Sequence, residues 1–127
     1  MNNTRSQARP SLVIDCKRNR IRVHKKTLHM LGDPKYVQLL INPETKCIAI
    51  RNSTDKRAER IRWETISGKQ CCEFYSKYLL QQMKKVLYDF DNHQAYRILG
   101  QFVANEELVY FCIEKAVPIS YNEEALE

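Results

Sequence analysis

Basic side chains in two short runs are the residues of this sequence whose types and spacing best suit a chemical role. The first run fills residues 17–26, and the second lies at residues 56–62. Arg20, Arg22 and His24 alternate along a predicted strand, so they would project from one face and could meet successive phosphates of a nucleic acid. A solvated basic face that binds nothing is the alternative. From the two runs we predict nucleic-acid contacts by nine side chains: Arg18, Arg20, Arg22, Lys25, Lys26, Lys56, Arg57, Arg60 and Arg62.

The charge is divided unevenly along the 127 residues, whose net formal charge is +6. Residues 1–62 hold 15 Lys and Arg against 5 Asp and Glu, whereas residues 63–127 hold 6 against 10. The first half therefore carries a balance of +10 and the second a balance of −4. Such a field favours a polyanion at the basic half, although many basic surfaces serve only solubility.

Cysteine and histidine are present without the spacing of a metal site. The chain has 5 Cys and 3 His, and no two cysteines form a C-x-x-C pair. Cys71 lies near the start of a predicted long helix, where the helix dipole would favour a thiolate. Simple packing of Cys71 and Cys72 is the alternative, since free cysteines are often buried. We predict reduced cysteines and no bound metal.

Glycines and acids also argue against catalysis. Gly32, Gly68 and Gly100 are isolated, so the sequence has no glycine-rich loop that could hold a nucleotide phosphate. Paired acids such as Glu106 and Glu107 fall in predicted turns, where carboxylates commonly act as caps. The sequence therefore predicts a protein that is not an enzyme and that uses no cofactor.

Most elements that would position the basic runs are predicted hairpins. Alternating apolar residues predict one hairpin over residues 11–24, with Arg20 and Arg22 opposite its apolar face. A short helix over residues 25–31 follows and is ended by Gly32. Strands at residues 36–51 form the clearest hairpin, around an Asn-Pro-Glu-Thr turn.

A long helix is predicted over residues 69–90, because apolar residues recur there at helical spacing. Its apolar stripe consists of Cys72, Tyr75, Leu79, Met83, Val86 and Phe90. A final hairpin is predicted over residues 95–103 and 108–113, and Gly100 within it suggests a bulge or a close backbone approach. Residues 60–63 alternate and are predicted to form a short edge strand.

Together these elements predict an α+β fold, in which an antiparallel sheet is built from hairpins and one short and one long helix pack on one side. Residues 1–10 are interpreted as a flexible basic arm, residues 11–120 as a single domain and residues 121–127 as an acidic tail. No apolar run approaches a membrane span, and the N-terminal residues lack the apolar segment of a secretory signal. We therefore expect a cytoplasmic protein that does not enter a membrane.

One stretch of the chain supports a resemblance. Residues 19–32, Asn-Arg-Ile-Arg-Val-His-Lys-Lys-Thr-Leu-His-Met-Leu-Gly, combine a basic strand with a short helix that ends in Gly, and two strands follow up to residue 52. This pattern resembles the AbrB-like swapped-hairpin DNA-binding domains. The resemblance implies an intertwined homodimer and a DNA-contacting role for Arg20, Arg22, Lys25 and Lys26. The chain also looks similar to small proteins of bacterial mobile elements, which implies no activity.

Two functions follow from these observations. The first is that of a non-enzymatic DNA-binding accessory or regulatory protein, for instance in transcription, which uses the basic hairpin surface. The second is that of a protein–protein interaction module, a small inhibitor or adaptor that acts through the long helix and its residues Tyr75, Tyr78 and Tyr88. One contiguous basic face would favour the first function, and an exposed apolar patch would favour the second.

Overall fold

Antiparallel strands dominate this protein, whose computed structural model describes residues 9–66, 68–75, 77–86 and 90–120. The strands within these residues are β1 Ser11–Asp15, β2 Arg20–His24, β3 Tyr36–Asn42, β4 Cys47–Ser53, β5 Glu59–Arg60, β6 Cys71–Tyr75, β7 Ala95–Val103, β8 Leu108–Cys112 and β9 Val117–Ile119. The helices there are α1 Lys25–Met30, α2 Trp63–Ile66 and α3 Lys77–Val86, with 3₁₀ turns at Ala104–Glu106 and Ile113–Lys115.

The strands form one sheet that curls into a half-barrel. Along the sheet the order is β5-β3-β4-β8-β7-β1-β2-β6, and β9 pairs with the first residues of β7. β7 connects the two halves of the sheet, because its residues 95–99 pair with β1 and its residues 100–103 pair with β8. The change of partner occurs at Gly100.

Gly100 has no room for a side chain. A Cβ atom at this position would lie 2.6 Å from the Phe111 ring and 2.6 Å from the carbonyl oxygen of Tyr110. The amide N–H of Gly100 donates to the carbonyl of Pro10 at 2.8 Å. The close approach predicted from a glycine within a strand is therefore confirmed, and its cause is the Phe111 ring packed over the backbone of β7.

The hydrophobic core lies on the inner face of the half-barrel, as the alternation of side chains along each strand requires. The inward residues of β1 and β2 are Leu12, Ile14, Ile21 and Val23, all buried. α3 packs on this inner face and adds Leu79, Leu80 and Met83 to the core. A smaller cluster on the outer face consists of Val13, Ala95 and Ile119, where β9 pairs with β7.

The prediction of an α+β fold with a long helix over residues 69–90 is wrong. β6 forms within that range and pairs with β2 along its full length, and only residues 77–86 are described as helix, in α3. The helical spacing misleads because Cys72 and Phe74 also fit the alternation of a strand, and pairing with β2 gives their backbone its hydrogen-bond partners. The fold is a mostly antiparallel β half-barrel with few helices.

The other predicted elements are largely confirmed. β1 and β2 form the first hairpin, β3 and β4 the second, and β7 and β8 the last. α1 follows β2, and Gly32, with a left-handed φ of 83°, comes two residues after its end. The predicted edge strand of residues 60–63 is only partly formed, because β5 ends at Arg60 and α2 begins at Trp63.

Most of the two predicted terminal segments lies outside the described residues, namely residues 1–8 of the basic arm and all of the acidic tail at 121–127. Arg9 is described, and its Nη2 donates to the carbonyl of Gly100 at 3.3 Å. Among the helices in the described part of the chain, none is long and apolar enough to cross a membrane.

Candidate nucleic-acid interface

A cleft of about 500 Å³ opens where the two ends of the curled sheet face each other. β5, α2 and the residues between them contribute one wall, and β6 contributes the other. The charged and aromatic residues along it are Glu59, Arg60, Arg62, Lys69, Glu73 and Tyr75. We call it the β5–β6 cleft.

The lining of the β5–β6 cleft holds three cations and two carboxylates, which leaves a formal balance of +1. Arg60 lies 3.5 Å from Glu64 through its Nη2, and its side chain is 58% exposed. Arg62 and Lys69 are also exposed. The amide N–H of Lys69 donates to the carbonyl of Ile66 at 2.7 Å, which fixes the turn between α2 and β6. The cleft therefore presents cations that solvent, and hence a ligand, can reach.

The predicted contact residues Arg20 and Arg22 lie on the outer face of β2, beside carboxylates. Arg20 Nε is 3.0 Å from Asp15, and Arg20 Nη1 is 2.9 Å from Glu73. Arg22 Nε is 3.5 Å from Glu73. Both arginine side chains are only 15% exposed. In this arrangement the two guanidinium groups link β1, β2 and β6 and offer little surface to a phosphate.

Asp15 is the centre of this ion-pair network. Its carboxylate is fully buried and accepts hydrogen bonds from the amide N–H of Arg18 at 3.2 Å, from Arg18 Nη1 at 3.0 Å and from Arg20 Nε at 3.0 Å. Burial by itself raises the pKa of Asp15, but the hydrogen bonds from Arg18 and Arg20 and the charge of Arg20 outweigh it and lower the pKa. Asp15 therefore stays ionised and holds Arg18 at the β1–β2 turn.

α1 places two further predicted residues, Lys25 and Lys26, beside the cleft. The amide N–H of Lys25 donates to the carbonyl of Gln70 at 2.8 Å, which brings the start of α1 next to Lys69. His24 caps this helix, because its Nδ1 accepts the N–H of Lys26 at 3.1 Å. Burial and then the charges of Lys26 and Lys25 lower the pKa of His24, which favours the neutral imidazole that can accept this bond.

Trp63 connects α1 with α2. Its indole N–H donates to the carbonyl of Pro34 at 2.8 Å, and its ring stacks on His29 with the centroids 5.8 Å apart. His29 Nδ1 lies 2.6 Å from Asp33. These contacts hold Arg62, which precedes Trp63, close to α1. α1, which begins with Lys25 and Lys26, is therefore joined at its last turn to the segment that contains Arg62.

Lys56 and Arg57 lie in the exposed loop between β4 and β5. Arg57 pairs with Asp55 at 3.1 Å, although the Arg57 side chain is 91% exposed. The hydrogen bonds from Arg57 lower the pKa of Asp55. Arg57 lines a second cleft, of about 530 Å³, which shares Glu59 with the β5–β6 cleft. These two basic residues are thus neighbours of the β5–β6 cleft and are not among its lining.

Sequence reasoning misses Lys69 and Tyr75 as members of this surface, because both fall in the predicted long helix. Tyr75 ends β6 with 67% of its surface exposed, and its hydroxyl donates to Glu73 at 3.1 Å. An exposed ring beside cations suits stacking on a nucleic-acid base. Only the pairing of β6 with β2 reveals that Lys69 and Tyr75 flank the basic strand.

Cys71 also lines the β5–β6 cleft, opposite His24 in the pairing of β2 with β6. It lies in a strand, so the helix dipole expected to favour its thiolate does not act on it. Cys71 is only 6% exposed, which leaves a substrate little access to the sulfur. Burial raises the pKa of the adjacent Cys72 to about 11. Within the described ranges, no three His, Cys, Asp or Glu side chains are grouped as metal ligands.

Comparisons with protein families, with curated proteins and with solved structures find no match to this chain. The resemblance of residues 19–52 to the AbrB-like domains, and the homodimer that it implies, stay predictions.

Proposed function

We propose that this protein is a non-enzymatic DNA-binding accessory or regulatory protein of the cytoplasm, which contacts DNA through the β5–β6 cleft and the adjoining start of α1. The observation that carries the proposal is that three cations, Arg60, Arg62 and Lys69, line one cleft. The start of α1, with Lys25 and Lys26, adjoins it through the hydrogen bond from the Lys25 N–H to the carbonyl of Gln70. Cations in such a cluster bind phosphate oxygens electrostatically, with no need of a catalytic pocket.

The carboxylates near the cleft decide which cations contribute most. Arg20 is held by the buried Asp15, so it stays in the sheet when DNA binds. Arg60 pairs with Glu64 at 3.5 Å on the surface, and a phosphate can compete for it because exposed ion pairs are weak. Arg62 and Lys69 are the exposed cations of the cleft from which we expect the largest contribution.

The test is the binding of a labelled random DNA duplex, measured by fluorescence anisotropy at about 50 and about 200 mM salt. Several phosphate contacts should weaken the affinity of the unaltered chain by roughly a thousandfold across this interval. In the variant Arg62→Ala/Lys69→Ala we expect weaker binding at low salt. The slope of log affinity against log salt should become shallower by about 2, because two phosphate contacts are removed.

A matched control is the variant Lys46→Ala/Lys115→Ala. It also removes two positive charges, but near the turn of the β3–β4 hairpin, at the end of β3 that is farther from β5 and the cleft. Lys46 pairs there with Glu114 at 3.5 Å. We expect it to keep most of the affinity. Equal losses in the two variants would mean that net charge, and not the β5–β6 cleft, governs binding. If the unaltered chain does not bind DNA at low salt, the proposal fails.

A protein partner is the second candidate, because α3 exposes apolar surface beside β3. Tyr78 is 72% exposed at the rim of a groove of about 540 Å³, whose apolar lining includes Leu39, Ile41 and Val86. The groove replaces the long helix as the possible contact surface, and Tyr88 lies outside the described residues. Recovery of a stoichiometric partner after nuclease treatment, abolished by Tyr78→Ala, would favour this function over DNA binding.

A further inference from the structure

Cys47 and Cys112 face each other across β4 and β8 on the outer face of the sheet. The strand register places them directly opposite, and their Sγ atoms are 3.6 Å apart. The amide N–H of Ile113 donates to the carbonyl of Lys46 at 2.8 Å. Lys46 and Ile113, the next pair along the two strands, are therefore a hydrogen-bonded pair. The two cysteines therefore occupy a non-hydrogen-bonded position, where opposing side chains approach most closely.

Exposure separates this pair from the remaining cysteines. Cys47 and Cys112 are partly exposed, whereas Cys16, Cys71 and Cys72 are buried. Burial raises the pKa of Cys16 and raises the pKa of Cys72 to about 11. The pKa of Cys112 is also raised, chiefly by its hydrogen bond with Cys47, so exposure and not thiol pKa distinguishes the pair. A small oxidant in solution can therefore reach Cys47 and Cys112, while the other three thiols are shielded.

The backbone already has the spacing that a disulfide needs. At a non-hydrogen-bonded antiparallel pair the Cα atoms lie about 4.5 Å apart, which is within the range of about 4.4–6.8 Å that disulfides span. The two sulfur atoms need to approach by only about 1.5 Å to reach bonding distance. Side-chain rotation can supply most of this shift, so the sheet need not be rebuilt.

We propose that Cys47 and Cys112 form a reversible disulfide, with a low-molecular-weight disulfide such as oxidised glutathione as the oxidant. One cysteine thiolate attacks a sulfur of the oxidant, so that a mixed disulfide forms and one glutathione leaves. The second thiolate attacks the cysteine sulfur of the mixed disulfide, and the bond to the second glutathione breaks. The two protein thiols are oxidised, and their two protons end on the two glutathione thiols that leave.

The experiment uses the full chain, reduced and then freed of reductant. The chain is equilibrated with a series of ratios of reduced to oxidised glutathione, quenched with acid, unfolded and alkylated. We expect a product that has lost two hydrogen atoms and retains three alkylatable cysteines. Digestion with trypsin should then release the peptide of residues 47–51 linked to that of residues 98–115. Excess reduced glutathione should restore all five thiols.

Serine variants locate the bond. Cys47→Ser and Cys112→Ser should each lose the linked peptides and stop at a mixed disulfide, whereas Cys71→Ser should keep the link. The proposal is overturned if the unaltered chain gives no link between the two peptides at any ratio, or if glutathione adds and never leaves. A bond between Cys71 and Cys72 in its place would also overturn it. The peptide map of the unaltered chain decides the result, even where a variant does not fold.

Discussion

Gly100 allows the two halves of the sheet to join, and a substitution there tests this junction directly. In Gly100→Ala the added methyl group would lie 2.6 Å from both the Phe111 ring and the carbonyl oxygen of Tyr110. Because backbone and a fully buried ring cannot move aside cheaply, we expect the free energy of unfolding to fall by about 1–3 kcal/mol. Urea denaturation of the two proteins measures this difference.

Gly68→Ala is the matched control for this substitution. Apart from Gly68 itself and its two chain neighbours, no described residue has a heavy atom within 4 Å of the position that its Cβ would take. We expect its free energy of unfolding to stay within about 0.5 kcal/mol of the unaltered value. Equal losses in the two variants would show that the Phe111 ring is not what restricts position 100 to glycine.

Asp15 makes the stability depend on pH in a defined direction. Burial opposes its ionisation, but the hydrogen bonds from Arg18 and Arg20 lower its pKa on folding. Its stabilising contribution is therefore complete above the unfolded-state pKa of about 3.9 and is lost as the pH falls through the lower folded-state pKa. Asp15→Asn should cost about 1–3 kcal/mol at neutral pH, because the charge is lost and an acceptor is kept.

Urea denaturation of both proteins at several pH values from neutral to about 2.5 checks this prediction. The difference in unfolding free energy between Asp15→Asn and the unaltered chain should shrink once the pH falls below about 4. A difference that stays constant over this range would show that the shape of the side chain, and not its charge, stabilises the β1–β2 turn.

As a strand, β6 buries the opposite one of two neighbouring side chains from the one that a helix would bury, and substitutions of the two residues test this. The strand buries Phe74, which is 5% exposed, and leaves Tyr75 67% exposed, whereas the helical stripe would bury Tyr75. Phe74→Ala should therefore lower the free energy of unfolding by about 3–5 kcal/mol, and Tyr75→Ala should change it by less than about 1 kcal/mol. Urea denaturation gives both values, and the reverse order would support the helix.

The distance between partners along the chain explains which elements the sequence predicts. The hairpins β1–β2, β3–β4 and β7–β8 pair neighbouring segments, so alternation and turn residues suffice to identify them. β6 pairs with β2, and the ion pair between them joins Arg20 and Glu73, 53 positions apart. No residue near β6 in the sequence indicates that β2 is its partner. The alternating pattern of β6 covers only five residues, so the longer helical pattern of residues 69–90 determines the prediction.

The residues of the candidate site can likewise be predicted where the evidence is local in sequence, but their arrangement in space cannot. The sequence identifies Arg60, Arg62, Lys25 and Lys26 as basic residues on exposed elements, but their arrangement around β6 depends on long-range pairing. That pairing also adds Lys69 to the surface. Conversely, the even spacing of Arg20 and Arg22 correctly predicts their common face, yet cannot show that Asp15 and Glu73 share it.

The fold rearranges the charge that the sequence divides into a basic and an acidic half. Lys69 comes from the acidic half and joins Arg60 and Arg62 in the β5–β6 cleft. Glu73, also from the acidic half, pairs with Arg20 and Arg22 of the basic half. The charges near β6 therefore come from both halves of the sequence, so the balance of +10 in residues 1–62 does not by itself describe the charge around this strand.

DNA that binds only the folded chain must also stabilise it, which gives a test of the proposed function that needs no label. At a DNA concentration 100 times Kd the stabilisation is about 2.7 kcal/mol, enough to raise Tm by several degrees for a chain of this size. We expect the rise at about 50 mM salt and little of it at about 200 mM, because counterion release drives the binding. Arg62→Ala/Lys69→Ala should lose most of the rise, and Lys46→Ala/Lys115→Ala should keep it. An equal rise at both salt concentrations would contradict electrostatic binding of DNA through the β5–β6 cleft.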